Sequence, residues 1–309
     1  MKGLILPGLA PSFYSEVVEF VETNPHAVKR FEQASKVLGY SLLDAFKVAT
    51  VYDNEVMECA FFVNTIALTD CFEEQYKVKP DIVICPSFGG MAAAVYLQSV
   101  TFEEGLLISY NSSLLSNKWF EKMEEYHTIF IYNLSAEDRQ LLIENYKSNG
   151  DLLEVVGIID KVTAICGKAP IIKKLKKEIN RKEKCISLYV MYYPIHSQLL
   201  SKMKFDIKEK VFDKVEIKQP NIPVISDVSG ELVKSTEAFT KMLLDGYDHA
   251  VRWDLVSKRL EETEIENLYI VGPKNLFSQL LKNKYPTISL DPYTVMQSND
   301  YVVGGKKND

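Results

Sequence analysis

One short segment constrains this chain more than any other. Ile82-Val83-Ile84-Cys85 is an uncharged run, preceded by Lys79-Pro80-Asp81 and followed by Pro86-Ser87-Phe88-Gly89-Gly90. An apolar run this short, rich in β-branched residues and bounded by turn residues, reads as a strand buried on both faces, as in a parallel sheet. From Met91 to Gln98 the residues are mostly small and apolar, which predicts a helix packed closely on that sheet. A strand passed through a tight turn into a helix is the repeating unit of α/β folds.

The turn also has a chemical reading. Ser87 would stand at the C-terminal edge of the sheet and at a helix N-terminus, where free N–H groups and the helix dipole favour developing negative charge. Gly89 removes a Cβ that would crowd so sharp a turn. The arrangement is that of a nucleophile elbow, although Cys85 replaces the first glycine of G-x-S-x-G and only S-x-G remains. A serine that merely caps a helix has the same local pattern.

The rest of the chain supplies a second texture. Leu4-Ile5-Leu6 reads as a short buried strand ended by Pro7-Gly8, and helices are expected over Ser12 to Glu22 and Asn54 to Tyr76. Between Trp119 and Met191 the expected order is strand, helix, strand, strand, helix, strand. The strands fall at Thr128–Tyr132, Leu153–Val156, Lys161–Ile165 and Cys185–Met191, and the helices at Ser135–Ser148 and Pro170–Arg181. That order suggests a ferredoxin-like insert. Further strands are expected at Pro223–Ser226 and Asn267–Val271, with the last helix at Leu276–Lys284 and a frayed polar tail after it. The predicted architecture is a large α/β-hydrolase-like parallel-sheet subdomain (1–118 and 192–296) with a small ferredoxin-like subdomain inserted at 119–191, and a flexible tail at 297–309.

Composition excludes several classes. The net charge of −6 provides no general attraction to nucleic acid. No apolar run approaches the length of a membrane span, and Pro7 interrupts the N-terminal run too soon for a signal-peptide core, so a cytoplasmic protein is expected. The five cysteines are odd in number and form no CxxC pair, which predicts reduced, mostly buried thiols without a disulfide framework or zinc site. No phosphate loop, dinucleotide fingerprint or metal signature implies a bound cofactor.

A serine nucleophile needs a base, and there are four histidines. His26 follows Pro25 near a helix end and His127 opens a strand of the insert, so both read as surface residues. His249 precedes Ala250-Val251-Arg252-Trp253. His196 lies in Tyr193-Pro194-Ile195-His196-Ser197, where an apolar strand meets a proline and a helix follows at once. It is the best-placed partner for Ser87; a capping or half-buried histidine is the alternative.

With these residues in view the chain resembles the malonyl-CoA:acyl carrier protein transacylases. Ser87-Phe88-Gly89, Tyr193-Pro194-Ile195-His196-Ser197 and Val271-Gly272-Pro273 follow the family's order and spacing, and Leu6-Pro7-Gly8 stands where the family opens with F-P-G-Q-G. Pro223-Val224-Ile225-Ser226 and Ala250-Val251-Arg252-Trp253 resemble its P-V-x-x-N and P-V-x-W elements. The resemblance implies a divergent stand-alone member. Ser87 would take an acyl group from a thioester and pass it to the phosphopantetheine thiol of an acyl carrier protein, with His196 as base. Backbone N–H groups of Leu9 and Phe88 would form the oxyanion hole. A backbone carbonyl from the segment around His249 would orient the histidine.

The departures bear on the substrate. Pro86 and Gly90 replace a histidine before the serine and a glutamate after S-x-G, Leu9 replaces the opening glutamine, and Cys166–Pro170 replaces the N-S-P-x-Q loop. Malonyl-type members carry an arginine about 25 residues past the serine to pair with the substrate carboxylate. Here that stretch reads Ser109-Tyr110-Asn111-Ser112-Ser113. Malonyl-CoA and methylmalonyl-CoA are therefore expected to be poor substrates, since a buried carboxylate without its cation is costly. Ser112, Tyr193, Ile195 and Met91 are the expected pocket residues.

Three functions fit. The first is an acyltransferase moving another acyl group from a CoA or carrier-protein thioester, within polyketide or related natural-product biosynthesis. The second is an acyl hydrolase clearing carrier proteins. The third is a non-catalytic relative that binds acyl chains or carrier protein. The basic run from Lys168 to Lys184 is either a solvated helix face or, through Lys173, Lys174 and Lys177, a docking face for an acidic carrier protein.

Overall fold

In the computed structural model, residues 1–123, 125–274 and 276–304 are described. The chain begins with β1 (Lys2–Ile5) and passes through α1 (Tyr14–Thr23), α2 (Pro25–Leu38), α3 (Leu42–Val48) and α4 (Asn54–Tyr76). Then β2 (Ile82–Ile84) leads directly into α5 (Gly89–Tyr96), and α6 (Phe102–Phe120) follows. The insert comprises β3 (Tyr126–Tyr132), α7 (Ala136–Ser148), β4 (Leu153–Ile159), β5 (Val162–Lys168), α8 (Ala169–Ile179) and β6 (Ile186–Met191). The return runs through α9 (Ser201–Lys210), β7 (Val224–Ile225), β8 (Leu232–Val233), α10 (Thr236–Asp248), β9 (Val251–Arg252) and α11 (Trp253–Glu261). It ends with β10 (Asn267–Val271), α12 (Leu276–Leu281), β11 (Thr287–Leu290) and α13 (Pro292–Gly304).

The central sheet has the order β11-β10-β1-β2-β7-β8, parallel except for β8. Alternation along its strands divides the core. Leu4, Val83, Tyr269 and Val271 face the main core with α4, while Ile5, Ile82, Ile84, Leu268 and Ile270 face a second core with Trp253 and Val256. Both faces are covered, which is why the strands read as unbroken apolar runs.

Local signals set the helix ends. The Asn24 side chain accepts from the N–H groups of His26 and Ala27, Pro25 occupies the first turn of α2, and Gly39 closes that helix with φ 77. Thr101 and Glu104 form a capping box at the start of α6. Helix α4 is buried around most of its circumference, so it lacks the polar face of a surface helix.

In the insert, β3 pairs antiparallel with β5 and β6, and β5 pairs antiparallel with β4. Ile129, Ile131, Leu142, Ile165, Ile172 and Leu175 fill the space between this sheet and α7 and α8. The expected strand–helix order is present. One strand was not foreseen: β9, from the returning chain, adds to β4 in parallel through Gly157↔Val251 and Ile158↔Arg252. This strand joins the insert sheet to the segment that begins α11.

The C-terminal end departs from expectation. After α12 the chain forms β11 and α13, so residues 297–304 continue a helix where a flexible tail was expected. Val295 of α13 is buried in the main core, and that contact holds the helix against the body. Residues 305–309 of the expected tail lie outside the described residues. All five cysteines are buried and free, and no described helix is long and apolar enough to cross a membrane.

Candidate active site

Ser87 leaves the end of β2 with φ 53, a left-handed conformation that a non-glycine residue rarely adopts. Packing enforces it. A Cβ on Gly89 would lie 2.1 Å from the Leu6 carbonyl oxygen and 2.9 Å from that of Pro7, so the elbow can close on the end of β1 only with glycine there. A Cβ on Gly8 would lie 3.0 Å from the Pro86 carbonyl oxygen and 3.3 Å from Ser87 Cβ. The opening loop is thus pressed against the serine turn.

His196 also has a left-handed backbone, with φ 50. Backbone strain of this kind costs on the order of 1–3 kcal/mol per residue and persists only where the surroundings impose it. The two strained residues meet: Ser87 Oγ lies 3.0 Å from His196 Nε2. His196 Nδ1 lies 2.6 Å from the Gly246 carbonyl oxygen. A carbonyl only accepts, so Nδ1 carries the proton, and in the neutral ring Nε2 is left to accept from the Ser87 hydroxyl. Burial lowers the histidine pKa below its ordinary value, and the Gly246 carbonyl partly offsets this. The ring is therefore held neutral and ready to accept a proton.

The orienting carbonyl corrects one expectation. It belongs to Gly246, within the last turn of α10, and not to His249. The His249 ring instead lies 2.6 Å from an Asp248 carboxylate oxygen. Asp245, Asp248 and His249 are close enough to hold a metal ion. The two carboxylates already receive the Lys204 ammonium at 2.9 and 2.8 Å, and Asp245 also receives Lys241. Two resident cations make that donor set a poor fit for a divalent ion.

Asp227 was not anticipated. It follows β7, the neighbour of β2, and its carboxylate accepts the Ser87 backbone N–H at 2.7 Å. It is 4% exposed. Burial pushes its pKa up to about 6, against the opposing effect of the N–H bonds it accepts. Its carbonyl receives the Arg252 N–H at 2.6 Å, which also ties the end of β9 to the elbow. The signal available in sequence was position: Asp227 is the fifth residue of the segment resembling P-V-x-x-N, where the family has asparagine.

Phe88 begins α5, and Leu9 lies in the loop pressed on the elbow. Among the described residues, neither backbone N–H donates to a protein group, as expected of donors available to a substrate oxyanion. The expected pocket residues belong to different elements. Ser112 is buried on α6. Tyr193 stacks on Phe120 with ring centroids 4.6 Å apart. Ile195 packs with Phe130, Val156 and Cys166 of the insert. Met91 is buried in the main core.

Lys173, Lys174 and Lys177 are exposed on α8. The Lys174 ammonium sits over the Tyr146 ring, 5.1 Å from its centroid, so this lysine also packs within the insert. A surface groove lined by Val21, Phe31, Tyr40 and Leu43 contains none of the expected site residues.

The chain shares sequence with named proteins along its whole length. It is 22% identical to the malonyl CoA-acyl carrier protein transacylase of Buchnera aphidicola subsp. Schizaphis graminum, covering 96% of this chain and 95% of that protein. It is 24% identical to the Bacillus subtilis transacylase of the same name, covering 95% and 94%. Among solved structures, the Coxiella burnetii malonyl CoA-acyl carrier protein transacylase superposes with TM-score 0.84 at 19% identity over 96% of both chains. A malonyl-transacylase solved with its type II PKS acyl-carrier protein superposes with TM-score 0.85 at 17% identity, covering 96% and 97%. No protein-family model matches the chain.

Proposed function

From this kinship with the malonyl CoA-acyl carrier protein transacylases, we propose that the chain is a serine-nucleophile acyltransferase that passes an acyl group between a thioester and an acyl carrier protein. The observation that carries the reading is the Ser87–His196–Gly246 relay, with its hydroxyl-to-imidazole distance of 3.0 Å and imidazole-to-carbonyl distance of 2.6 Å.

The chemistry follows from the geometry. His196 Nε2 takes the Ser87 proton as Oγ attacks the thioester carbonyl, and the resulting oxyanion meets the N–H groups of Leu9 and Phe88. The C–S bond breaks, and the thiolate leaves with the proton from His196. The acyl group is then on Ser87 Oγ. An incoming phosphopantetheine thiol gives its proton to His196 and attacks the ester carbonyl; the bond to Oγ then breaks as His196 returns the proton to Ser87. Gly246 holds the ring in the tautomer both steps need.

The acyl group is proposed to be other than malonyl, because Ser109-Tyr110-Asn111-Ser112-Ser113, the stretch in which the resemblance expects the carboxylate-binding arginine, holds no cation. Lys173, Lys174 and Lys177 are the proposed docking residues, exposed on a face that suits an acidic partner.

The test is intact-protein mass spectrometry after incubation with a panel of acyl thioesters, comparing the parent with Ser87→Ala. The expected result is an adduct in the parent alone, lost on addition of carrier protein as acyl-carrier protein appears. An adduct that decays at one rate with or without carrier protein identifies a hydrolase. A folded protein that forms no adduct and turns over no thioester overturns the enzyme reading.

A further inference from the structure

A second acid lies beside the Ser87–His196 pair, and the relay does not use it. Glu58 sits in the first half of α4, one turn before Phe61, whose ring meets that of Phe88 with centroids 6.1 Å apart. Its carboxyl is close enough to Tyr193 and Tyr247 to add to the effect of burial in raising both phenols. Phe88 follows the serine, Tyr193 precedes the histidine on the same loop, and Tyr247 follows the carbonyl that orients it. Glu58 is thus near Tyr193 and Tyr247, which adjoin two of the relay residues, and lies one turn from the ring that meets the neighbour of the third. It retains contact with solvent, while desolvation lifts its pKa to about 7. A partly exposed carboxyl among these neighbours is placed to meet an acyl chain held on Ser87.

Helix α6, packed against α4, holds hydroxyls without hydrogen-bond partners. Ser112 and Ser113 of α6 are 5% and 2% exposed, and among the described residues neither Oγ makes a hydrogen bond of ordinary geometry. Ser113 still lies near enough to Glu58 to favour its ionised form, and Ser112 stands in the same relation to Tyr247. Buried hydroxyls left unpaired are costly. Here one adjoins the Glu58 carboxyl and the other the Tyr247 phenol, in the stretch of α6 where the resemblance would place a cation.

We propose that Glu58, with Ser112 and Ser113, makes this site select acyl groups that carry a hydroxyl or amino group and reject those that carry a carboxylate. The proposal rests on the transacylase reading above. A donor on the acyl chain gives the Glu58 carboxyl a further hydrogen bond and offers the serine hydroxyls a polar partner. An alkyl chain leaves them unpaired, and a site built for hydrogen bonding discriminates strongly against such an analogue. A carboxylate brings like charge against Glu58, and one of the two must then stay protonated.

The experiment measures the initial rate of Ser87 acylation by mass spectrometry with four CoA thioesters: butyryl, malonyl, β-hydroxybutyryl and β-aminobutyryl. The expected result is that at least one of the two polar neutral or cationic groups acylates about tenfold or more faster than butyryl and malonyl. Which one leads tells whether the natural group is an alcohol or an amine. In Glu58→Gln, with circular dichroism matching the parent, malonyl acylation should rise and any β-aminobutyryl preference should fall, each by about tenfold. If butyryl or malonyl matches both polar substrates in the parent, this proposal fails and the transacylase function stands; that comparison requires no variant. If no thioester acylates Ser87, the function itself fails and the proposal with it.

Discussion

The Ser87 backbone N–H donates to the Asp227 carboxylate at 2.7 Å, across 140 residues of sequence. This bond joins the tip of β2 to the tip of β7 and holds the serine turn from beneath. It also stakes part of the site on a buried acid whose pKa is pushed up to about 6.

Asp227 should make stability pH-dependent in a defined direction. Its folded pKa lies above the unfolded carboxylate range, so the folded state binds the proton more tightly. The stabilisation is fully present below about pH 4 and is lost as pH rises through about 6. Glu58, lifted to about 7, acts in the same direction over an overlapping range. Asp227→Asn removes one of these two titrations while keeping an acceptor for Ser87. Thermal unfolding measured at pH 5 and pH 8 should therefore show a smaller decline for the variant than for the parent. Asp227→Ala, which leaves the N–H unpaired, should cost about 1–3 kcal/mol at either pH. Equal pH dependence in the parent and Asp227→Asn would rule out this role.

His196 should set the pH dependence of acylation. Only the neutral ring accepts the Ser87 proton, and burial lowers its pKa. The rate of Ser87 labelling by a fluorophosphonate should rise with pH to a plateau, with its midpoint below about 6.5. His196→Ala should reduce labelling by about 100-fold or more. A midpoint above that of an ordinary histidine would mean that the ring is not the buried base described here.

Gly89 and Gly39 separate a steric clash from backbone strain. A Cβ added at Gly89 would meet the Leu6 and Pro7 carbonyl oxygens at 2.1 and 2.9 Å. Gly39 has φ +77 with nothing within 4 Å of its Cβ position. Gly39→Ala should cost about 1 kcal/mol in chemical denaturation and leave Ser87 labelling unchanged. Gly89→Ala should cost about 3 kcal/mol or more and abolish labelling, since the elbow must move away from β1. Comparable effects from both substitutions would contradict the steric account.

The exposed lysines of α8 should divide by their contacts. Lys173→Glu with Lys177→Glu should slow transfer to carrier protein about tenfold while leaving acylation by a small thioester unchanged, an effect that weakens in high salt. Lys174→Glu should also lower the melting temperature, because its ammonium lies over Tyr146. Equal loss of carrier-protein transfer and small-thioester acylation would place these residues outside any docking face.

Much of the architecture is carried by local signals. The β-branched run ending in Pro86, the Ser135 cap and the alternation through the insert are each decided within a few residues, because strand period, helix capping and turn chemistry are short-range effects. They place Ser87 at a strand end and His196 at the start of a helical segment, and they predict the β-α-β-β-α-β insert. The C-terminal strand and helix carry no comparable signal. The polar residues after Gln297 resemble a tail, whereas α13, which begins before them with Val295 in the main core, runs on to Gly304.

The relations that complete the site have no local signature. Gly246 serves His196 through its carbonyl, a group every residue possesses, so sequence could indicate a neighbourhood but not the residue. Asp227 and Glu58 look like surface acids in a row of letters. They differ from their neighbours only in the protein packed around them, and that packing places Asp227 under Ser87 and Glu58 near Tyr193 and Tyr247. By itself the sequence determined the strand, the turn and the local settings that mark Ser87 and His196 as candidates, because these depend on residues adjacent in the chain. The tertiary structure decided which carbonyl and which carboxylates attend them, because burial and distance arise only when remote segments meet.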